Sequence, residues 1–146
     1  MISSEIRESG ERIGFELEDI STRKVGILAH LKERSNGAPT VGKYHVNLTD
    51  IERIGATAIR NALIEADVVI VDEIGPMELK SEPFILAVEA AMISKKNLIG
   101  TVHKSSSHPL ISLIKASANC RIIEVNLHNR DRIAFEIITE LTRRMI

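Results

Sequence analysis

The sequence predicts an α/β protein, a three-layer and mainly parallel sheet entered through an N-terminal antiparallel meander. Three observations carry this. Residues 2–30 fall into short alternating runs joined by polar turns. From Thr49 onward, helical periodicity alternates with short apolar runs in the order α-β-α-β-α-β-α. The first of those runs, "VVIVDE", is continuously apolar up to a pair of carboxylates. Such runs suit parallel strands buried on both faces, and the alternation implies right-handed crossovers that cover both faces with helices.

The elements follow in order. "ISSEIR", the turn-like "ESGE" and "RIGFELEDI" read as a hairpin, and "VGILAHL" continues the meander after polar "STRK". "KERSNGAPT" holds Gly and Pro and reads as a loop. "LTDIERIGATAIRNALIEA" has helical spacing, with Thr49 and Glu52 placed for a capping box. After the strand at 68–73, "SEPFILAVEAAMISKK" is a helix with Ser81 as cap and Pro83 in its first turn. "NLIGTVH" is a second buried strand, "HPLISLIKAS" a short helix and "CRIIEVN" a third strand. "NRDRIAFEIITELTRRM" is the last helix, with Arg143 and Arg144 near its C-terminal end, where the macrodipole favours cations. No linker divides residues 1–146, which read as one domain.

Composition narrows the function. The 146 residues are 44% hydrophobic, enough for a packed core. A net charge of −1 gives no electrostatic argument for nucleic acid or an anionic membrane. With no Trp and one Tyr there is no aromatic platform for bases. No apolar run has the length of a membrane span, and the expected compartment is the cytoplasm. Cys120 is the single cysteine and fits a small apolar position in the third strand.

Chemistry concentrates where strands end. In parallel α/β sheets, ligand sites lie at the carboxyl ends of strands. "ADVVIVDEIG" ends there in Asp72 and Glu73. An apolar strand ending in Asp is how nucleotide hydrolases hold Mg²⁺, and an adjacent Glu can take a proton from attacking water. The same pair also fits a solvated strand end. "GTVHK" places Thr101 and His103 on one face, at the end of the next strand, in reach of a phosphate or the attacking water. The histidines show no metal-ligand spacing.

"GAPTVGKY" nearly matches G-x-x-x-x-G-K-[ST], with Tyr44 where Ser or Thr would stand. A phosphate loop needs a helix starting at its Lys, so that backbone N–H groups meet the phosphates. The residues after Lys43 read as extended chain, so the segment is expected to be a loop over the site.

These segments resemble the P-loop nucleoside-triphosphatase family of thermostable archaeal and bacterial enzymes, which also includes the human cancer-related nucleoside-triphosphatase. The stretches are "SSEIRESGERIGFELEDI", "VGKYHVN", "LIEADVVIVDEIGPMELKS", "IGTVHKSS" and "IEVNLHNRD". "VDEIGPMEL" is the most specific. His45 stands where the family pattern has Gly. Members begin with a strand, a full phosphate loop and a helix, so the resemblance implies a chain that starts after all three. It also implies Mg²⁺-dependent hydrolysis of ATP, GTP and similar nucleotides. By matching, Asp72 serves Mg²⁺, Glu73 the water, Thr101 and His103 the γ-phosphate and Lys43 the phosphate charge, with Asn129 and Arg130 near the base. The missing strand would lie between "NLIGTVH" and "CRIIEVN", leaving a slot to be closed by direct pairing or filled by another molecule. A non-catalytic remnant that keeps the fold, or a nucleotide or small-molecule kinase, are the competing readings.

Overall fold

The computed structural model describes residues 1–32 and 36–145; in the expected loop at 32–40, Glu33, Arg34 and Ser35 lie outside the described residues, as do the side chains of Arg144 and Met145. The meander forms as expected. Strand β1 (Ile2–Glu8) turns at Ser9-Gly10, both with positive φ, into antiparallel β2 (Glu11–Glu18). β3 (Val25–His30) pairs with β2. A small hairpin follows, β4 (Thr40–Val41) and β5 (Tyr44–Val46), and β5 adds to β3.

The first helix starts earlier than the sequence suggested. Its cap is Asn47, whose side chain accepts from the N–H of Asp50, and not a box of Thr49 and Glu52. Asn47 wins because its amide also donates to Asp50 Oδ2 at 3.1 Å, and that same oxygen accepts from Ile27 N on β3 at 2.9 Å. One carboxylate thus ties the helix start to the sheet. α1 (Leu48–Asp50) continues through a π-helical stretch, Ile51–Ala56, into α2 (Thr57–Glu65).

β6 (Val68–Ile74) and β7 (Asn97–Val102) are the parallel strands, separated by a 3₁₀ turn (Glu78–Lys80) and α3 (Glu82–Ile93). Ser81 caps α3 by accepting from Phe84 N, and Pro83 sits in its first turn, both as expected. α4 (Pro109–Ala116) is capped by His108, and α5 (Arg130–Met145) closes the chain.

The strand order is β4-β5-β3-β2-β1-β6-β7. One core cluster joins Leu17, Leu28, Ile51, Ile59, Val69, Val71, Phe84, Val88 and Ile111, all nearly fully buried. The α/β class and the meander hold, but the parallel part is smaller than expected: β1–β6 and β6–β7 are its two pairings, against four antiparallel ones.

The expected third strand, Cys120–Asn126, does not form; none of these residues is in a strand, and Cys120 is half-buried outside the sheet. It does not pair with β7, which ends the sheet among the described residues. A strand exists by its ladder, and this run has no neighbour to supply one. The consequence reaches β6. Val69 and Val71 are buried on one face, but Ile70 is 39% exposed and Asp72 is exposed on the other. The second covering layer is therefore open at this end of the sheet, where a strand buried on both faces was expected. α5 does not close it: no described residue from Ser117 to Arg143 is buried.

Candidate active site at the ends of β6 and β7

β6 delivers Asp72 and Glu73 to its carboxyl end, joined by a cis peptide bond. Backbone pairing fixes Asp72 from one side, its N–H donating to Met1 O at 3.2 Å. From the other side, Thr101 on β7 donates its hydroxyl to Asp72 Oδ1 at 2.6 Å. The parallel register that sets Val71 beside Gly100 brings these two side chains together. The sequence pattern placed Thr101 near a phosphate; in the structure its proton is committed to Asp72 and orients that carboxylate.

Glu73 lies folded over the turn that follows. A Cβ added to Gly75 would stand 2.5 Å from Glu73 Oε1 and 2.8 Å from Cδ, so a side chain at this position would push the carboxylate from where it lies. The turn then closes with Leu79 N donating to Gly75 O at 3.0 Å.

Glu78, which the sequence reading passed over, is 2% exposed, and its Oε1 has no hydrogen-bond partner. Burial pushes its carboxyl up to about 7, and the charges of Glu73 and, more weakly, Asp72 push the same way. The backbone N–H groups of Glu78 and Gly75 oppose this by favouring the carboxylate. The available signal was a carboxylate between the apolar Met77 and Leu79, directly after the strand that carries the site.

Past the turn that follows Glu73 is an open cleft of about 500 Å³, a volume in the range of small-molecule sites, reached by Pro76 and Leu79 of that turn but not lined by Asp72, Glu73 or Thr101. Its walls include Lys80, His103, Ser106 and His108, with Thr40 and Val41 of the β4–β5 hairpin. The hairpin thus lies against the site, as expected of "GAPTVGKY". It is no phosphate loop: Gly42, at φ +58°, and Lys43 form the tip of a hairpin, and no helix begins there. Tyr44 anchors it, buried edge-on to Phe15 with ring centroids 5.2 Å apart and within 3.1 Å of Arg12 Nε. Lys43 is exposed at the tip, its Nζ 5.6 Å from the Tyr44 ring centre.

Asn129 and Arg130 stand apart from this group. Asn129 accepts from Asn126 N and donates to Glu124 O, both at 2.8 Å, so its amide organises the loop before α5. Arg130 is exposed and reaches Asp131. The nearest link between this loop and the cleft is the exposed pair of Lys104 and Glu124, 2.7 Å apart.

The residues also bear on Mg²⁺. Asp72 offers an exposed carboxylate oxygen, and no described group of three or more His, Cys, Asp or Glu forms a metal cage. One or two carboxylates with remaining positions left to water and phosphate is the donor set Mg²⁺ takes in phosphoryl-transfer sites, so these residues fit the ion.

Known proteins share this sequence and fold. A model of the NTPase family matches residues 1–138. Nucleoside-triphosphatase THEP1 of Methanosarcina acetivorans is 44% identical over 143 residues, which are 98% of this chain and 78% of that protein. The THEP1 of Thermotoga petrophila is 42% identical over 139 residues, 93% of this chain and 74% of its own length. The crystal structure of THEP1 from Aquifex aeolicus superposes with a TM-score of 0.84 at 30% identity, covering 96% of this chain and 81% of that one. The match runs from the meander through the paired carboxylates into the last helix, and on that footing this chain belongs to the NTPase family.

Proposed function

We propose that the end of β6 is the hydrolytic centre of a nucleoside-triphosphatase that releases phosphate from ATP, GTP and similar nucleotides. The observation that carries this reading is the Asp72–Thr101 hydrogen bond beside Glu73. It holds one carboxylate in a fixed orientation, as a metal ligand would need, while its neighbour lies over Gly75 and would accept a proton from water. Asp72 would hold Mg²⁺, which when bound offsets the charge of the phosphate oxygens. Lys80 and His103, on the cleft wall, face the space a polyphosphate would enter, and Lys43 would add charge if the hairpin tip closes over it.

Residues 1–146 contain no G-x-x-x-x-G-K-[ST], and the near-match is a hairpin tip. Turnover by these residues alone is therefore expected to be very low, since positioning of the phosphates supplies most of phosphoryl-transfer catalysis. The test measures phosphate release from ATP and GTP with and without Mg²⁺. Fast Mg²⁺-dependent release by the 146 residues, lost in Lys43→Ala, would refute the reading of the hairpin. In a fusion with a relative's phosphate-loop segment ahead of Met1, Glu73→Gln should cut kcat by at least ~10²-fold with nucleotide still bound. Asp72→Asn should instead weaken Mg²⁺-dependent binding. Normal turnover in Glu73→Gln would remove Glu73 from the chemistry. The unpaired edge of β7 is also a place for a strand of a second copy, which sedimentation at rising concentration would detect as a dimer.

A further inference from the structure

The chain carries 20 Asp and Glu against 19 Lys and Arg, yet no carboxylate lines the cleft past the β6 turn. Its polar groups are the Lys80 ammonium, the imidazoles of His103 and His108, and the hydroxyls of Thr40 and of serines 105–107. Each of these side chains can donate a hydrogen bond, and Lys80 adds a full positive charge. A divalent cation finds none of its usual carboxylate ligands there. A base finds no Phe or Tyr ring to stack on. An oxyanion is the ligand these groups suit.

The donors are held and free. The loop after β7 is closed by Ser106 N donating to His103 O at 3.2 Å and by Lys115 Nζ donating to Lys104 O at 2.6 Å. Ser106 Oγ accepts from His108 N at 3.3 Å, which leaves its own proton to donate. His108 Nδ1 accepts from Leu110 N at 3.2 Å, so the proton of the neutral ring sits on Nε2. Nearby lysines are occupied: Lys96 bonds Ala66 O, Lys104 pairs with Glu124 and Lys115 bonds Lys104 O. Among the described residues, neither the Lys80 ammonium nor the His103 ring has such a partner.

His103 follows Thr101 by two residues, roughly 7 Å of extended chain, and Thr101 holds Asp72. The cleft therefore begins close to the carboxylate pair while sharing none of its residues. We propose that this cleft is a second phosphate site, which holds free phosphate without a metal once it has left the nucleotide. The source of the phosphate rests on the hydrolase reading; the binding itself does not, and is observed without nucleotide. A phosphate has enough oxygens to take an ammonium from the 3₁₀ turn and hydroxyl or ring N–H groups from the loop after β7 together.

The experiment is an NMR titration of residues 1–146 with inorganic phosphate in EDTA, at ionic strength held constant with sodium chloride. The five histidines supply both probes and controls, since His30, His45 and His128 lie outside the cleft. The ring signals of His103 and His108 should move together to saturation while the other three stay in place. Lys80→Gln should raise the Kd at least ~5-fold. Lys95→Gln, which removes an exposed lysine at the amino end of β7, should leave it unchanged. Absence of saturation, a shift spread over all five rings, or equal weakening in the two lysine variants would each overturn the proposal. So would a requirement for Mg²⁺, which would put the phosphate at Asp72, or saturation by ATP but not by phosphate, which would give the cleft to the nucleotide. If phosphate binds as stated while Glu73→Gln in the fusion hydrolyses nucleotide normally, the cleft site stands and the hydrolase reading fails. If Glu73→Gln is inactive and phosphate leaves His103 and His108 unmoved, the hydrolase reading stands and the cleft site fails.

Discussion

Two runs of this chain look alike in sequence and end in different structures. "VVIVDE" and "CRIIEV" are both short, β-branched and bounded by polar residues. The first becomes β6, hydrogen-bonded to β1 on one side and β7 on the other, with Val69 and Val71 fully buried. The second has no ladder, and Ile122 and Val125 are more than half exposed. The helices after them differ in the same way: Phe84 of α3 is fully buried, whereas Phe135 of α5 is 74% exposed. β-propensity describes what a pleated, half-buried surface accepts, and the surface must exist before the propensity counts. Residues 1–116 make such a surface; residues 117–145 rest beside it through the exposed ion pair of Lys104 with Glu124 and the half-buried Cys120 at the edge of the core.

The two phenylalanines test this contrast most strongly. Phe84→Ala should cost about 3–5 kcal/mol, the usual penalty for emptying a fully buried aromatic site. Phe135→Ala should stay within about 0.5 kcal/mol. Urea midpoints of the two variants decide it, and comparable losses would mean that α5 is part of the core.

Acidity gives the next largest effect, confined to the first region. Glu78 has its folded value raised from 4.5 to about 7. The unfolded chain therefore ionises first, and the stability this group contributes is complete below pH 4.5 and is lost as pH rises to about 7. The loss is roughly 3 kcal/mol. Unfolding free energy of the wild type, followed from pH 4.5 to 8, should fall by that amount relative to Glu78→Gln. Parallel curves for the two proteins would place Glu78 in contact with water.

Much of this was legible in the sequence, for reasons that also explain the failures. Turn residues and two-residue alternation are local, so Ser9-Gly10 and the meander could be read directly. The place of Asp72 and Glu73 was read because a strand's carboxyl end is recognisable from the strand itself. The Thr101–Asp72 bond was not read, because it depends on the register of β6 against β7, and Thr101 was placed on the phosphate instead. Glu78 was missed because its character comes from burial, and its one local sign in "GPMELK" was the apolar pair Met77 and Leu79 on either side of it. The third strand was misjudged because its neighbours are a matter of tertiary pairing. The helix start moved from Thr49 to Asn47 for a related reason: the deciding bond runs from Asp50 to Ile27 on β3.

Caps allow the contrast to be repeated with one residue type. Asn47→Ala should cost about 1 kcal/mol, as lost caps do, because its partner Asp50 also holds β3. Asn129→Ala breaks two bonds of its own, yet they lie within the loop before α5. Its urea midpoint should barely move, while helical circular dichroism drops slightly as α5 frays. A global loss equal to that of Asn47→Ala would show that the two regions unfold as one.

The smallest effect is expected from the largest change. A chain ending at Ser117 gives up α5 and the 121–126 run but no buried side chain, since none of the described residues from 117 to 143 is buried. The ion pair of Lys104 and Glu124 is exposed on both sides, with 76% and 63% of the side chains accessible, so its loss is worth at most ~1 kcal/mol. The partly buried Cys120 packs at the edge of the core and adds little more. The truncated chain should therefore unfold within about 1 kcal/mol of the full one, and with less exposed apolar surface it should stay soluble at higher concentration. Its amide exchange in β6 should match that of the longer chain. If truncation instead cost several kcal/mol, or released the β6 and β7 amides to fast exchange, residues 117–145 would have to cover the open face that carries Ile70. The contrast between the two regions would then belong to this arrangement of the chain and not to the folded protein in solution.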